Sequence, residues 1–184
     1  MDGKIVYEGQ TNKGLKFILR YPKESDLKFL LDFINEASAE RTYIRHQGDR
    51  ITYEEERKFL DKILEDIESK KAVHLLVLVG EKLAGNCGVV LHNQITSHVG
   101  SIGIIIGKKF RGMGLGKILM EKVMEEAEKK LPGLKIFRLG CFALNKVALN
   151  LYKELGFKEY GKLPDGFSYR EGYADELLMY KKIR

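Results

Sequence analysis

The stretch Arg111-Gly112-Met113-Gly114-Leu115-Gly116-Lys117 constrains the fold of this chain more than any other. It follows the apolar run Ile102-Gly103-Ile104-Ile105-Ile106 and opens the amphipathic run Leu115 to Leu131. That order predicts a strand, a glycine loop and a helix start. Glycines there let the backbone enter conformations closed to other residues, and they leave room for a ligand to approach the unpaired amides of the helix N-terminus. Amides arranged in this way bind phosphate. Two familiar phosphate motifs are excluded. The dinucleotide fingerprint needs a different glycine spacing and an acidic residue ending a second strand about twenty residues later, but here that region, Glu121 to Lys130, still reads as helix. The P-loop needs Ser or Thr directly after Gly-Lys to hold magnesium, and Gly116-Lys117 is followed by Ile118.

What remains is Arg-x-x-Gly-x-Gly, and downstream stands Asn145-Lys146-Val147-Ala148-Leu149-Asn150-Leu151-Tyr152-Lys153-Glu154-Leu155-Gly156-Phe157. Both resemble motifs of the GNAT (GCN5-related N-acetyltransferase) superfamily, the first its pyrophosphate loop and the second its later helix. The two stand in the right order, and the resemblance runs from about Leu15 to Tyr180. It implies a GNAT fold, a mixed α/β domain. Its sheet is mostly antiparallel, has about six to seven strands, is flanked by helices, and is splayed at a central parallel pair.

The resemblance also implies a site. Acetyl-CoA is the cosubstrate, its pantetheine arm pairing with the end of the strand before the loop, Ile104, Ile105 and Ile106. Its pyrophosphate lies on the amides of Gly112, Met113, Gly114, Leu115, Gly116 and Lys117, with Arg111 leading into the loop. Asn145 contacts the pantetheine arm, although Asn directly before a helix also serves as a plain N-cap. Tyr152 is the candidate general acid. Attack on a thioester requires a neutral amine, and the departing thiolate gains from a proton donor. Asn145, Ala148 and Tyr152 share one helical face. On burial statistics alone, without the surrounding motif, Tyr152 reads rather as a core aromatic.

The chain departs from the family pattern at the general base. Family positions that carry Glu correspond here to Ser101 and Gly140, so the remaining candidates are water with backbone carbonyls, His98, His92 or Glu40. Cys141 is discounted as a nucleophile, because no His or acid neighbours it in sequence. Acceptor pockets in the family are built by loops that correspond to Glu36 to Arg50 and Leu163 to Tyr173. Glu40, Tyr43, Asp165, Tyr169, Glu171 and Tyr173 there suit a cationic amine: a polyamine, a lysine side chain or a protein N-terminus.

At 184 residues, the chain is expected to form one N-acetyltransferase domain over residues 1–184, with 1–14 as an N-terminal extension. No signal peptide or apolar run of membrane-spanning length is visible, so a cytoplasmic location is expected and no membrane partner. Cys87 and Cys141 lack paired-Cys or metal-ligand spacing, which predicts reduced core thiols and no metal. The net charge of +6 is spread over helix faces where Lys and Glu alternate, so no nucleic-acid partner is expected. Lys108, Lys109, Arg111 and Lys117 cluster beside the loop, where they attract an anion. Dimerisation through strand or helix edges is compatible with the family and has no mark in the sequence. The competing function is a non-catalytic acyl-CoA-binding protein, which the missing carboxylates keep open.

Periodicity supplies the elements. Strands are predicted at Lys16 to Arg20, His74 to Val79, Ala84 to Leu91, Val99 to Ile106, Lys135 to Phe142, Phe157 to Tyr160 and Tyr173 to Tyr180. Helices are predicted from Ser25-Asp26, from Thr52 with a Thr52/Glu55 capping box, over Leu115 to Leu131, and over Asn145 to Leu155.

Overall fold

The structure, a computed structural model, describes residues 1–183. Strands β1 (Ile5–Gln10) and β2 (Lys16–Arg20) form a hairpin. Helices α1 (Leu27–Ala39) and α2 (Tyr53–Glu68) follow, then strands β3 (Ala72–Val79), β4 (Lys82–Leu91) and β5 (Val99–Ile106). Helix α3 (Leu115–Lys130), strand β6 (Ile136–Phe142), helix α4 (Lys146–Glu154) and the hairpin β7 (Lys158–Tyr169) and β8 (Gly172–Lys182) complete the chain. The strands make one sheet in the order β1-β2-β3-β4-β5-β6-β8-β7, antiparallel except between β5 and β6.

Local chemistry explains the helix starts. Thr52 Oγ1 accepts from Glu55 N at 3.3 Å, and the Glu55 carboxylate accepts from Thr52 N at 2.8 Å. This satisfies amides that the first turn of α2 would otherwise leave unpaired. Ahead of α1, Asp26 accepts from Lys23 N and receives both guanidinium nitrogens of Arg20, at 2.6 and 2.7 Å.

The sheet is covered on both faces. Leu119, Met120 and Val123 of α3, with Leu149 and Tyr152 of α4, pack on Leu75, Val77, Cys87 and Val89. On the opposite face Leu27, Leu30 and Phe33 of α1 and Leu60 of α2 pack on Leu76. Alternation along a strand produces this division, since neighbouring side chains point to opposite faces.

The feature that positions the site is an opening between β5 and β6. Their parallel ladder is confined to Val99↔Ile136, Gly100↔Phe137 and Ser101↔Arg138. On its other edge β5 stays paired with β4 as far as Gly85↔Ile106, while β6 follows β8 to Phe142↔Glu176. Residues 102–106 therefore present one free edge, as the expected splay requires.

Two expectations need correction. The segment 1–14 is not a mere extension: β1 pairs with β2, and the sheet has eight strands rather than six to seven. The segment Leu163 to Tyr173 is not a loop. β7 continues to Tyr169, absorbing the turn-like residues around Pro164 as register shifts between Glu159 and Gly161 and between Leu163 and Phe167.

Candidate active site

The loop leaves β5 through a 3₁₀ turn at Lys108–Phe110 and enters α3 at Gly114. Gly112 and Gly114 have φ of +72° and +80°, a region in which L side chains are strained, and a Cβ on either would meet nothing within 4 Å. The two glycines thus line open space. Among the described residues no side chain caps α3, and Ile118 N is the amide that bonds back to Gly114 O, at 3.5 Å. The amides of Leu115, Gly116 and Lys117 stand ahead of it, in the geometry of an anion site. Lys108, Lys109 and Lys117 surround this cradle, all three exposed. The residues present therefore fit a pyrophosphate.

The free edge of β5 leads to the same place. Gly107 N bonds Ala84 O of the β4 side at 2.9 Å, so strand alternation turns the backbone groups of Ile106 and Ile104 towards the gap left by β6 and that of Ile105 back to β4. Ile104 and Ile106 give their side chains to the α3 core and Ile105 to the α1 core. Of the three residues expected to pair with a pantetheine arm, Ile104 and Ile106 are thus the two whose backbone faces the opening.

Arg111 has a structural task that the sequence did not reveal. Its Nε donates to Ile106 O at 2.9 Å, and its two terminal nitrogens donate to the Glu40 carboxylate at 2.8 and 3.2 Å. The residue ties the end of β5 to the segment after α1, and Glu40 is engaged in this pair. Asn12, in the β1–β2 turn, donates its side-chain amide to Gly112 O at 3.0 Å.

Asn145 is an N-cap: its Oδ1 accepts from Ala148 N at 3.2 Å. That leaves its amide nitrogen as the part able to reach a ligand. Tyr152, 8% exposed, lies in the α3 side of the core against Phe157, with ring centroids 6.0 Å apart. Burial, and to a lesser degree the neighbouring Cys141 and Cys87, push its phenol well above the usual tyrosine range. Those cysteines stand on β6 and β4, the strands that flank β5, so the ring sits beneath the opening. Both cysteines are free and buried, and burial raises both thiols, Cys141 to about 11. Inert core thiols result, as the spacing predicted.

On the opposite face of the sheet, Tyr43 from the segment after α1 lies 5.5 Å from Phe142 and 5.7 Å from Tyr169, and Phe142 stacks on Phe167 at 4.1 Å. Of the residues named for the acceptor side, Tyr43 and Tyr169 are brought together, with Phe142 and Phe167 added. Glu171 lies in the β7–β8 turn. Tyr173 is 72% exposed and, by strand alternation, faces away from the aromatic wall. Asp165 is exposed, and its backbone amide donates to the Asp175 carboxylate. A cleft of about 330 Å³ opens on this face, lined by Leu30, Ile34, Phe59, Asn86, Ile105 and the Glu56 carboxyl, whose pKa burial raises.

The base candidates separate clearly. His92 Nε2 and Ser101 Oγ are 2.7 Å apart, which puts an imidazole at the family's first Glu position. His98 is exposed at the entry to β5. Gly140, the second family Glu position, is not empty: a Cβ there would collide with Glu176 Oε1, and Glu176 Cδ would stand 3.0 Å from it. Sequence reasoning missed this, and no local signal marks it, because β8 brings the carboxylate across. Among the described residues no group of three or more His, Cys, Asp or Glu converges as a metal site, and no helix is long and apolar enough to cross a membrane.

A mixed sheet opened at one parallel pair, with a glycine loop running from the open strand into a helix, defines an N-acetyltransferase fold. The chain belongs to the acetyltransferase (GNAT) family, whose sequence pattern matches residues 31–157. The crystal structure of a GNAT-family acetyltransferase from Streptococcus pneumoniae is similar over 91% of this chain and 99% of its own, at 30% identity and a TM-score of 0.83. A spermidine N-acetyltransferase from Vibrio cholerae, solved with CoA and spermine, shares the fold at 24% identity over 90% of this chain and 95% of its own, with a TM-score of 0.75. Thialysine N-epsilon-acetyltransferase of Mus musculus is 39% identical over 72 residues, 39% of this chain. That match spans only 41% of the relative's own length.

Proposed function

We propose that this protein is an acetyl-CoA-dependent N-acetyltransferase that passes an acetyl group to a primary amine by direct attack, with Tyr152 as general acid. The convergence of the free β5 edge on the glycine cradle carries the reading. One leads an uncharged arm into the sheet, and the other receives the phosphates that anchor it. Amides of Gly112 to Lys117 would hold the pyrophosphate, Ile104 and Ile106 the pantetheine amides, and the nitrogen of Asn145 a further carbonyl. Bound acetyl-CoA supplies an activated acyl group. The protein's own part is to orient it, keep water out and manage protons.

Tyr152 suits the acid role because its ring sits beneath the opening and a phenol is protonated at neutral pH, so that a nearby donor lowers the barrier to thiolate departure. The aromatic wall of Tyr43, Phe142 and Tyr169 suits a cation by its π faces. The acceptor class is therefore an amine borne on a polyamine, a lysine side chain or a protein N-terminus. The Vibrio cholerae structure contains spermine, which makes a polyamine the first member of the panel.

The test is calorimetric titration with acetyl-CoA of the wild type and of Gly114→Trp, followed by thiol release with an amine panel. Binding by the wild type that is lost in a folded Gly114→Trp, with thiol release on an amine, is the expected result. Binding without release on any amine would identify an acyl-CoA-binding protein, and no binding would overturn the reading.

A further inference from the structure

Glu176 stands where this chain lacks the carboxylate of the family pattern, at Gly140. It belongs to β8, opposite Phe142 in the ladder, yet its side chain leans diagonally over β6 into the space that Gly140 leaves bare, with Cγ 3.4 Å and Cδ 3.0 Å from the position a Gly140 Cβ would take. Any side chain at 140 would displace it. Glu176 forms no salt bridge or side-chain hydrogen bond among the described residues, in a chain where Glu40, Asp26 and Asp175 are all paired. An unpaired carboxylate held over a glycine on a half-buried strand is free to accept a proton from a ligand.

Its position relative to the opening gives that proton a source. Gly140 lies two residues beyond Arg138, where β6 parts from β5. The Tyr152 ring lies beneath the opening on the α3 side, and alternation puts Gly140 and Glu176 on the other face, with Phe142 and the aromatic wall. The two groups thus flank the gap from opposite faces. We propose that Glu176 is the general base of the reaction, a carboxylate supplied by the last hairpin in place of one on β5 or β6. This rests on the acetyltransferase reading above.

In the step, Glu176 takes one proton from the ammonium of the acceptor. The freed nitrogen pair forms the C–N bond to the acetyl carbonyl, and the C–S bond breaks. The thiolate takes the Tyr152 proton, the second N–H proton restores the phenol, and Glu176 releases its proton to solvent. Charged and titratable groups sharing the Glu176 face are Arg138 on β6, Tyr180 on β8, Lys158 and Tyr160 on β7, Tyr43 and Tyr169 in the wall, and His92 at Ser101, with Glu56 of α2 and His74 of β3 on the same face beyond β5.

The experiment compares wild type, Glu176→Gln, Glu176→Ala and Glu176→Ala/Gly140→Asp for acetyl-CoA affinity by calorimetry and for kcat/KM on an accepted amine from pH 6 to pH 9. A Cβ at 140 falls beside the present Oε1, so aspartate rather than glutamate restores the carboxylate's place. Expected is a loss of roughly 10²–10⁴-fold at neutral pH in both single variants, with acetyl-CoA affinity unchanged. The wild-type rate should level off with pH while that of Glu176→Gln keeps climbing towards the amine's own pKa. Gly140→Asp should recover at least tenfold over Glu176→Ala. A Glu176→Gln rate within threefold of wild type across the range would overturn the base assignment and leave acetyl transfer standing. A loss with an unchanged profile and no recovery would make Glu176 structural and overturn it equally. A wild type that turns over no amine would remove the acetyltransferase reading and this one together.

Discussion

Replacing Asp26 by asparagine removes one charge from a pair that has little water. Arg20 and Asp26 side chains are 10% and 2% exposed, and the guanidinium meets both carboxylate oxygens at 2.6 and 2.7 Å. The side-chain amide of Asp26→Asn would keep an oxygen for Lys23 N but would leave the Arg20 charge buried without its counterion. Breaking one side of a buried pair costs about 3–5 kcal/mol. Unfolding of 184 residues carries an entropy near 0.4 kcal/mol/K on average values, so the melting temperature should fall by about 8–13 °C. Calorimetric or circular-dichroism melts read this directly. The double variant Arg20→Met/Asp26→Leu should regain most of the loss, because an apolar pair of similar volume replaces the ions; Lys23 N then lacks its acceptor, so recovery should stop short of wild type. A shift below about 3 °C in Asp26→Asn, well under the fall worked out above, or a double variant worse than the single one, would refute the view that the ion pair pins the entry to α1.

Tyr152→Phe should keep the melting temperature and acetyl-CoA affinity while lowering kcat by roughly 10²-fold or more, measured by thiol release. His74 is buried with Nε2 unpartnered among the described residues, and burial lowers its pKa to about 4. The unfolded chain takes up a proton near pH 6.5 that the folded one refuses. The stability is therefore fully present above about pH 6.5 and falls at about 1.4 kcal/mol per pH unit towards pH 4. Urea unfolding between about pH 4.5 and pH 7 should show this slope, and His74→Leu should flatten it. Native protein at pH 8 should react with a thiol reagent far more slowly than unfolded protein at both cysteines, since a thiol with a pKa of about 11 is roughly one part in a thousand thiolate there; fast reaction of either cysteine would contradict the burial.

Local signals were legible where the chemistry is local. The capping box at Thr52 and Glu55, the strand ending at Ile106, the glycine loop and the N-cap at Asn145 each depend on residues within a few positions of one another. β1 was not legible, because its apolar residues are few and its order comes from pairing with β2 at the sheet edge. The extension of β7 was hidden for a related reason. Gly161, Pro164, Asp165 and Gly166 are turn formers, and β8 as a partner converts them into irregularities within a strand. At the site, Arg111 meets Glu40 across 71 residues, and Glu176 reaches Gly140 across a strand boundary. No sequence pattern specifies such meetings, since they arise only when the sheet is assembled.

Under the function proposed above, the tie between Arg111 and Glu40 joins the phosphate loop and the amine side through one strut. One edge of the guanidinium grips the tip of β5 at Ile106, and the other grips the chain on its way from α1 to Tyr43 and the aromatic wall. A phosphate loop that shifts on filling must break one of these holds or carry the amine side with it. Such gearing is symmetrical: by whatever factor a filled loop favours the amine, the amine favours the filled loop equally. Under that function, the affinity of each substrate in the presence of the other then becomes a property of the strut that joins their pockets rather than of either pocket alone.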